Sequence, residues 1–254
     1  MIILLYILLG LLGIIFSYIL LLVISALLVD KNREYTEDSR YYRWLLNSAT
    51  GIGLMLCRVS VDMTGADKIP EGRFLLVSNH RSKFDPLVTW YVFRKENISF
   101  ITKESNLHVP VFGRIVRRCC FLAIDRQDIK KAYETINKIS QLAINDVASI
   151  GIYPEGTRNY DFEANGLLPF RNGAFKPAKK AGIPIVIVTV QGTEKIHTNY
   201  PWHHTVVSLD VSGVISAEEV ASMNTAQIGA IVRQKILETT NNTEEKEHEV
   251  YGTV

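Results

Sequence analysis

Phe74-Leu75-Leu76-Val77-Ser78-Asn79-His80-Arg81-Ser82-Lys83-Phe84-Asp85-Pro86 decides how this chain folds. Phe74–Ser78 reads as a short strand that is apolar on both faces, the kind buried in a parallel sheet. Asp85-Pro86 opens a helix, with Asp85 as its N-cap and Pro86 at the first helical position, ahead of Leu87-Val88-Thr89-Trp90-Tyr91. The polar residues between them form a strand-to-helix turn, which is where open α/β sheets place their ligands.

The same alternation continues outward. Strands are expected at Arg58–Thr64, Ile98–Thr102, Phe121–Ile124, Ser149–Tyr153, Ile183–Val190 and Thr205–Gly213. A helix is expected over Lys130–Asn145, where apolar residues at 132, 136, 139, 142 and 143 recur at helical spacing. Ala174–Ala181 reads as a short helix ended by Gly182, and Met223–Thr239 as a closing helix. This pattern predicts an α/β domain, a mixed β-sheet flanked by helices, over residues 58–240. The polar, acidic stretch 241–254 reads as a disordered tail.

Residues 1–57 read as a membrane-anchoring helical segment. Met1–Val29 contains no Asp, Glu, Lys, Arg or His. As a helix it would be about 43 Å long, more than a ~30 Å hydrocarbon core requires, so it spans with tilt or lies partly along the interface. A cleaved signal peptide fits poorly, because no basic region precedes the apolar run and no small-x-small site follows it. Lys31, Arg33, Arg40 and Arg43 come after the run and no Lys or Arg comes before it, which places the body on the cytoplasmic side of the cell membrane. Tyr41–Cys57 is too polar to span, and is expected to lie on the membrane or pack against the first helix.

Composition excludes several classes. A net charge of +2 over 254 residues gives no reason to expect a nucleic-acid partner. Cys57, Cys119 and Cys120 provide neither a disulfide framework nor a CxxC metal site, and the adjacent pair reads as buried apolar residues. Arg114, Arg117 and Arg118 form a basic cluster that either faces anionic headgroups or is a solvated face.

Two turns carry chemistry. In Asn79–Asp85, the Asp85 carboxylate can accept from one imidazole nitrogen of His80 and leave the other as a proton acceptor. His80 would then act as general base on a hydroxyl brought by the substrate, with no Ser or Cys nucleophile needed. Taken alone, the motif is equally an ordinary polar turn with a helix cap. In Tyr153-Pro154-Glu155-Gly156-Thr157-Arg158, Gly156 permits a tight turn, Arg158 offers a planar fork for phosphate, and Thr157 adds a hydroxyl. Glu155 either binds a glycerol hydroxyl or fixes the loop. Lys103 and Arg126 stand at the ends of two further strands, and Arg126 with Arg158 could clamp a phosphate monoester. No metal is expected, because His80 and Asp85 lack a usual ligand spacing and no second His lies near them.

These blocks, in this order, resemble the glycerolipid acyltransferase family. Asn79–Asp85 resembles its N-H-x-S-x-x-D block and Tyr153–Arg158 its [FY]-P-E-G-T-R block. Lys103-Glu104, Pro110–Gly113 and Phe121–Arg126 resemble the block between them, while Phe170–Phe175 and Gly182-Ile183-Pro184 resemble the approach to the last. The chain departs from the pattern at Ile187, where a second proline is common, and at Asn159, where Ser is common. A slightly altered strand exit and an altered rim of the phosphate pocket are therefore expected. The resemblance implies transfer of a fatty acyl group from a thioester of coenzyme A or acyl carrier protein to the free hydroxyl of lysophosphatidic acid, with His80 as base and no other cofactor. Backbone N–H groups near the Asp85 helix start or the Gly156 turn would hold the oxyanion. Glycerol 3-phosphate, another lysophospholipid, or water in a lipid thioesterase are the alternative acceptors. No G-x-S-x-G elbow is present for a serine hydrolase.

Overall fold

Runs of β-branched and apolar residues supply the strands, and the computed structural model, which describes residues 1–125 and 127–251, assembles seven of them into one sheet. They are β1 (Val59–Thr64), β2 (Leu75–Ser78), β3 (Ile98–Thr102), β4 (Leu122–Ala123), β5 (Ser149–Ile152), β6 (Ile185–Gln191) and β7 (Thr205–Ile215). The order across the sheet is β1-β7-β6-β2-β5-β3-β4. All neighbours run parallel except β6 and β7, so the sheet is mixed, as the sequence indicates.

Before β1 come α1 (Ile2–Leu27) and α2 (Arg40–Leu56). Between β2 and β5 lie α3 (Asp85–Val92), α4 (Glu104–Leu107), α5 (Phe112–Arg118) and α6 (Ile129–Ile144). The rest are α7 (Phe162–Asn165), α8 (Lys176–Ala181), α9 (Ile196–Asn199), α10 (Ala217–Ser222) and α11 (Thr225–Tyr251). The expected helix over Ala174–Ala181 is thus a 3₁₀ turn, Asn172–Phe175, leading into α8, because Pro177 suits a helix start and not its interior. The expected disordered tail from 241 is instead helical as far as Tyr251. That stretch has no Pro or Gly to interrupt a helix, and its Glu and Lys residues favour one.

Side chains alternate across the central strands. Leu75 and Val77 of β2 join Ile185 and Ile187 of β6 in a core with Ile139 of α6 and Val232 of α11. Phe74, Leu76, Val186 and Val188 face the other way, against Leu46 and Leu54 of α2, Val88 of α3 and Val116 of α5. With both faces covered the strands read as unbroken apolar runs. Near Ile187, where the family pattern has proline, β6 slips register against β7 between Ile187 and Val188.

On α1 only Ser25 and Ala26 are buried, and among the described residues it is the one helix long and apolar enough to cross a membrane. It packs on α2 through Tyr18 Oη and Ser48 Oγ (2.8 Å) and through Ser25 Oγ and Tyr41 Oη (2.6 Å). The basic cluster of α5 serves this junction. Arg114 donates to the Ala26 carbonyl (3.4 Å), Arg118 stacks over Tyr35 and Tyr42, and Arg117 is buried. Cys119 and Cys120 are fully buried, and burial pushes the Cys120 thiol up to about 12 and the Cys119 thiol higher, so neither is a ready nucleophile.

Arg43 pins α2 to the sheet. Its side chain is buried against Asp38 (Nε to Oδ1, 2.6 Å), donates to the Ile98 carbonyl (3.0 Å) and to Ser99 Oγ (3.4 Å), and lies over the Trp90 ring. Arg43→Ala leaves a half-buried carboxylate and a strand-end carbonyl without donors, so it is expected to cost about 3 kcal/mol. Thermal unfolding of the detergent-solubilised chain should show a melting point lower by several degrees, and a shift within about a degree would show that the pin carries no weight.

Candidate active site

β2, β5 and β3 are neighbours and parallel, so the turns that leave their carboxyl ends open on the same edge of the sheet. These are the turns that carry His80, the Glu155–Arg158 block and Lys103. Residues far apart in the sequence meet for this reason, and Thr193 arrives beside them from just beyond the end of β6.

Asn79 holds the first turn in place. Its buried amide donates to the Val190 carbonyl and accepts from the Val190 N–H, both at 2.8 Å, so a side chain continues the β2–β6 ladder after the backbone has turned away. His80 then leaves the strand. Its N–H donates to Glu155 Oε1 (2.7 Å), and its carbonyl accepts from the Asn159 N–H (2.7 Å).

Asp85 lies at the first position of α3, with Phe84 as the N-cap, so the helix starts one residue earlier relative to Asp85 than the sequence suggests. Its carboxylate points back into the turn and closes that turn instead of capping the N–H groups ahead of it. Oδ2 accepts from His80 Nδ1 (2.8 Å), Arg81 N (2.7 Å) and Ser82 N (2.8 Å), and Oδ1 accepts from the Thr193 hydroxyl. Asp85 is 0% exposed. A carboxylate is an acceptor only, so Nδ1 carries the hydrogen of the 2.8 Å contact and the lone pair of neutral His80 sits on Nε2. The ring plane is fixed by stacking on Tyr153, centroids 4.3 Å apart, and Tyr153 stacks in turn on Phe100. Burial, reinforced by the Asp85 charge, holds the Tyr153 hydroxyl well above its usual range, so it stays neutral beside the pair.

His80 lines a cavity of about 1170 Å³. This exceeds the ~300–1,000 Å³ common for a single small ligand. Its lining includes the apolar residues Phe100, Phe112, Val116, Phe121, Ile129 and Ile136. It also includes the cations Lys83, Lys103, Lys130, Arg158, Arg171 and Lys176. Thr157 and Gly156 complete the edge near Arg158. Gly156, at φ +72°, ends a tight turn closed by its N–H on the Tyr153 carbonyl (3.0 Å). A Cβ there would meet Arg171 Nε at 2.7 Å, so the glycine lets Arg171 lie across the turn.

Glu155 stands behind the turn, outside the cavity lining. Its buried carboxylate accepts from the His80 N–H and, at 3.2 Å, from the Leu168 N–H, which makes it the loop's brace. Burial raises its pKa, and the two N–H donors partly offset that. Asn159 is likewise a brace and not a pocket rim, since its N–H holds His80 and its Nδ2 donates to the Gly166 carbonyl (2.6 Å). The N–H groups of Arg81, Ser82 and Gly156, near where an oxyanion hole is expected, are already engaged inside the two turns. Arg126 lies outside the described residues. Three contributors escape a reading of the sequence. Thr193 has no local pattern linking it to Asp85, 108 residues away. Arg171 stands within a matched block that assigns it no role, and Asn79 has a strand-locking role that spacing does not reveal.

An imidazole oriented by a buried carboxylate, opening on a cavity lined by both apolar and cationic side chains, suits transfer between amphiphiles, and the chain belongs to the acyltransferase family, whose model matches residues 60–191. Among its relatives are the 1-acyl-sn-glycerol-3-phosphate acyltransferases of Salmonella typhimurium (32% identity over 190 residues, 72% of this chain and 74% of the relative) and Escherichia coli (30% over 181 residues, 69% and 72%). That of Haemophilus influenzae is 30% identical over 159 residues, 62% of this chain and 64% of its own length. A crystal structure of the 1-acyl-sn-glycerophosphate (LPA) acyltransferase from Thermotoga maritima has the same fold, with a TM-score of 0.63 at 19% identity over 88% of this chain and 89% of that one.

Thr193 is a positioning residue, acting on His80 through Asp85. Removing a donor to a charged acceptor costs roughly 1.5–3 kcal/mol, so Thr193→Val should lower kcat by about one to two orders of magnitude with little change in KM. Thr193→Ser, which restores the hydroxyl, should recover most of the loss. Equal kcat in the Val and Ser variants would remove the role.

Proposed function

We propose that the chain transfers a fatty acyl group from an acyl thioester to the free hydroxyl of 1-acylglycerol 3-phosphate, giving phosphatidic acid. The observation that supports this most directly is the His80–Asp85 pair lining a cavity that holds both apolar and cationic side chains. The names of the relatives supply the acceptor.

In this reading Nε2 of His80 takes the proton of the acceptor hydroxyl, and the oxygen attacks the thioester carbonyl. Asp85 stabilises the imidazolium that forms, without taking its proton. Collapse of the tetrahedral intermediate breaks the C–S bond, and the imidazolium returns the proton to the leaving thiolate. Lys103, Arg158 and Arg171 hold the phosphate, since a forked guanidinium pairs well with phosphate oxygens. The apolar lining residues take acyl chain, and coenzyme A or acyl carrier protein presents the donor. With α1 in the bilayer and the basic residues that follow it on the inner side, the reaction takes place at the cytoplasmic face of the cell membrane. A lipid held there need not be drawn wholly into water, which would cost about 0.8 kcal/mol per CH₂.

Purified His80→Ala and Asp85→Ala should each lose at least about 10²-fold in transfer from acyl-CoA or acyl carrier protein to lysophosphatidic acid. Unchanged transfer in His80→Ala eliminates the base. Arg158→Ala and Arg171→Ala should mainly raise the acceptor KM, about tenfold each, and should matter less for an acceptor without a phosphate monoester. Identical losses on both acceptors would remove the clamp.

A further inference from the structure

Tyr200-Pro201-Trp202-His203-His204 joins α9 to β7 and displays its aromatics outward, with Trp202 79% exposed and Tyr200 51%. The loop is nevertheless firmly held. Ile196 at its base is fully buried, the His203 N–H donates to the Asn199 carbonyl (2.7 Å), and Asn199 Nδ2 donates to Thr205 Oγ1 (3.0 Å). An exposed indole on a braced loop is a built feature, since a flexible loop would let the ring fold back on the protein.

Its position is set by Arg58, the second residue beyond α2. Arg58 Nη1 donates to the Trp202 carbonyl (2.8 Å), and the Thr205 N–H donates to the Arg58 carbonyl (3.0 Å) as β1 and β7 begin to pair at Val59 and Thr205. The loop therefore continues from the end of α2. That helix leaves Tyr41, Trp44, Ile52, Met55 and Leu56 exposed, and at ~100° per residue these fall on one stripe about 120° wide. Aromatic residues thus stand at both ends of a line of apolar ones, and α1 packs alongside.

We infer that the Tyr200–His204 loop is a second membrane contact, seating Trp202 and Tyr200 at the headgroup level of an anionic bilayer and continuing the exposed stripe of α2. The inference rests on α1 lying in the bilayer. Tyr and Trp favour the interface because one end of the ring is apolar and the other wets. Charge complementarity supports lipid as the occupant. Lys195–Val207 contains no carboxylate, while Lys195, His197, His203, His204 and Arg58 are all exposed around the aromatics. With α1 alone, the body could swivel on its joint, whereas a second contact at the far end of α2 fixes which side of the domain meets the lipid.

The test uses the full chain with Cys57→Ser and Trp202→Cys, nitroxide-labelled and reconstituted in phosphatidylcholine–phosphatidylglycerol vesicles. Cys119 and Cys120 are buried and should stay unlabelled. The label at 202 should collide several-fold more with dissolved oxygen than with an aqueous nickel chelate, and a label at exposed Glu218 of α10, beyond the far end of β7, should show the reverse. Equal aqueous access at both positions overturns the inference. So does a label at 202 shielded from both quenchers, which would mean a protein contact. As a second measurement, Trp202→Ala should raise KM about tenfold for an acceptor presented in vesicles, spare turnover on a detergent-dispersed one, and be largely rescued by Trp202→Phe. An unaltered vesicle KM overturns it as well. The labelling needs no acyl transfer, so its failure and the failure of the proposed activity are separable.

Discussion

One buried carboxylate organises the catalytic edge. Asp85 draws together a ring nitrogen, two backbone N–H groups and a hydroxyl from 108 residues further on. An unpartnered charge in that position would be costly, and each of the four donors reduces the cost only in one geometry. The shape of the turn, the start of α3, the exit of β6 and the orientation of His80 are therefore one constraint. Glu155 has a parallel role in the turn after β5, bridging the β2 turn to the chain near Leu168. Two carboxylates, neither in contact with substrate in the proposed reaction, thus set the geometry of the residue that is.

The make-up of the cavity lining follows from the order of the strands. The β2 turn gives the imidazole, and the β5 turn beside it gives Thr157 and Arg158. Apolar lining residues come from β3, α5 and α6, whose buried faces also build the domain core. A change in α5 or α6 can reshape the cavity lining while leaving the hydrogen bonds around Asp85, none of which involves these helices, untouched.

Much of this is legible in the sequence, for identifiable reasons. β2 and β6 are apolar on both faces, which marks central strands, and α6 shows a clear helical period. His80 and Asp85 are readable because a strand end and a helix start bracket them closely. Local pattern fails where a partner arrives from afar, as Thr193 does, or where a residue type fits two roles. Glu155 and Asn159 suit ligand contact as well as bracing, and only burial and hydrogen-bond direction separate the two. The end of α11 is helical although its polarity suggests disorder, because the same Glu-rich composition also favours helix.

Asn79 shows how an edge of a sheet can be finished without fraying. Where two strands diverge, their last peptide groups ordinarily lose their partners, and the chain must stay flat a little longer or expose them. Here the amide of a side chain stands in for the missing peptide, donating to and accepting from Val190. The main chain is thereby released from pleat geometry one residue before the histidine, and the ring can take an orientation that no residue still within the strand could adopt.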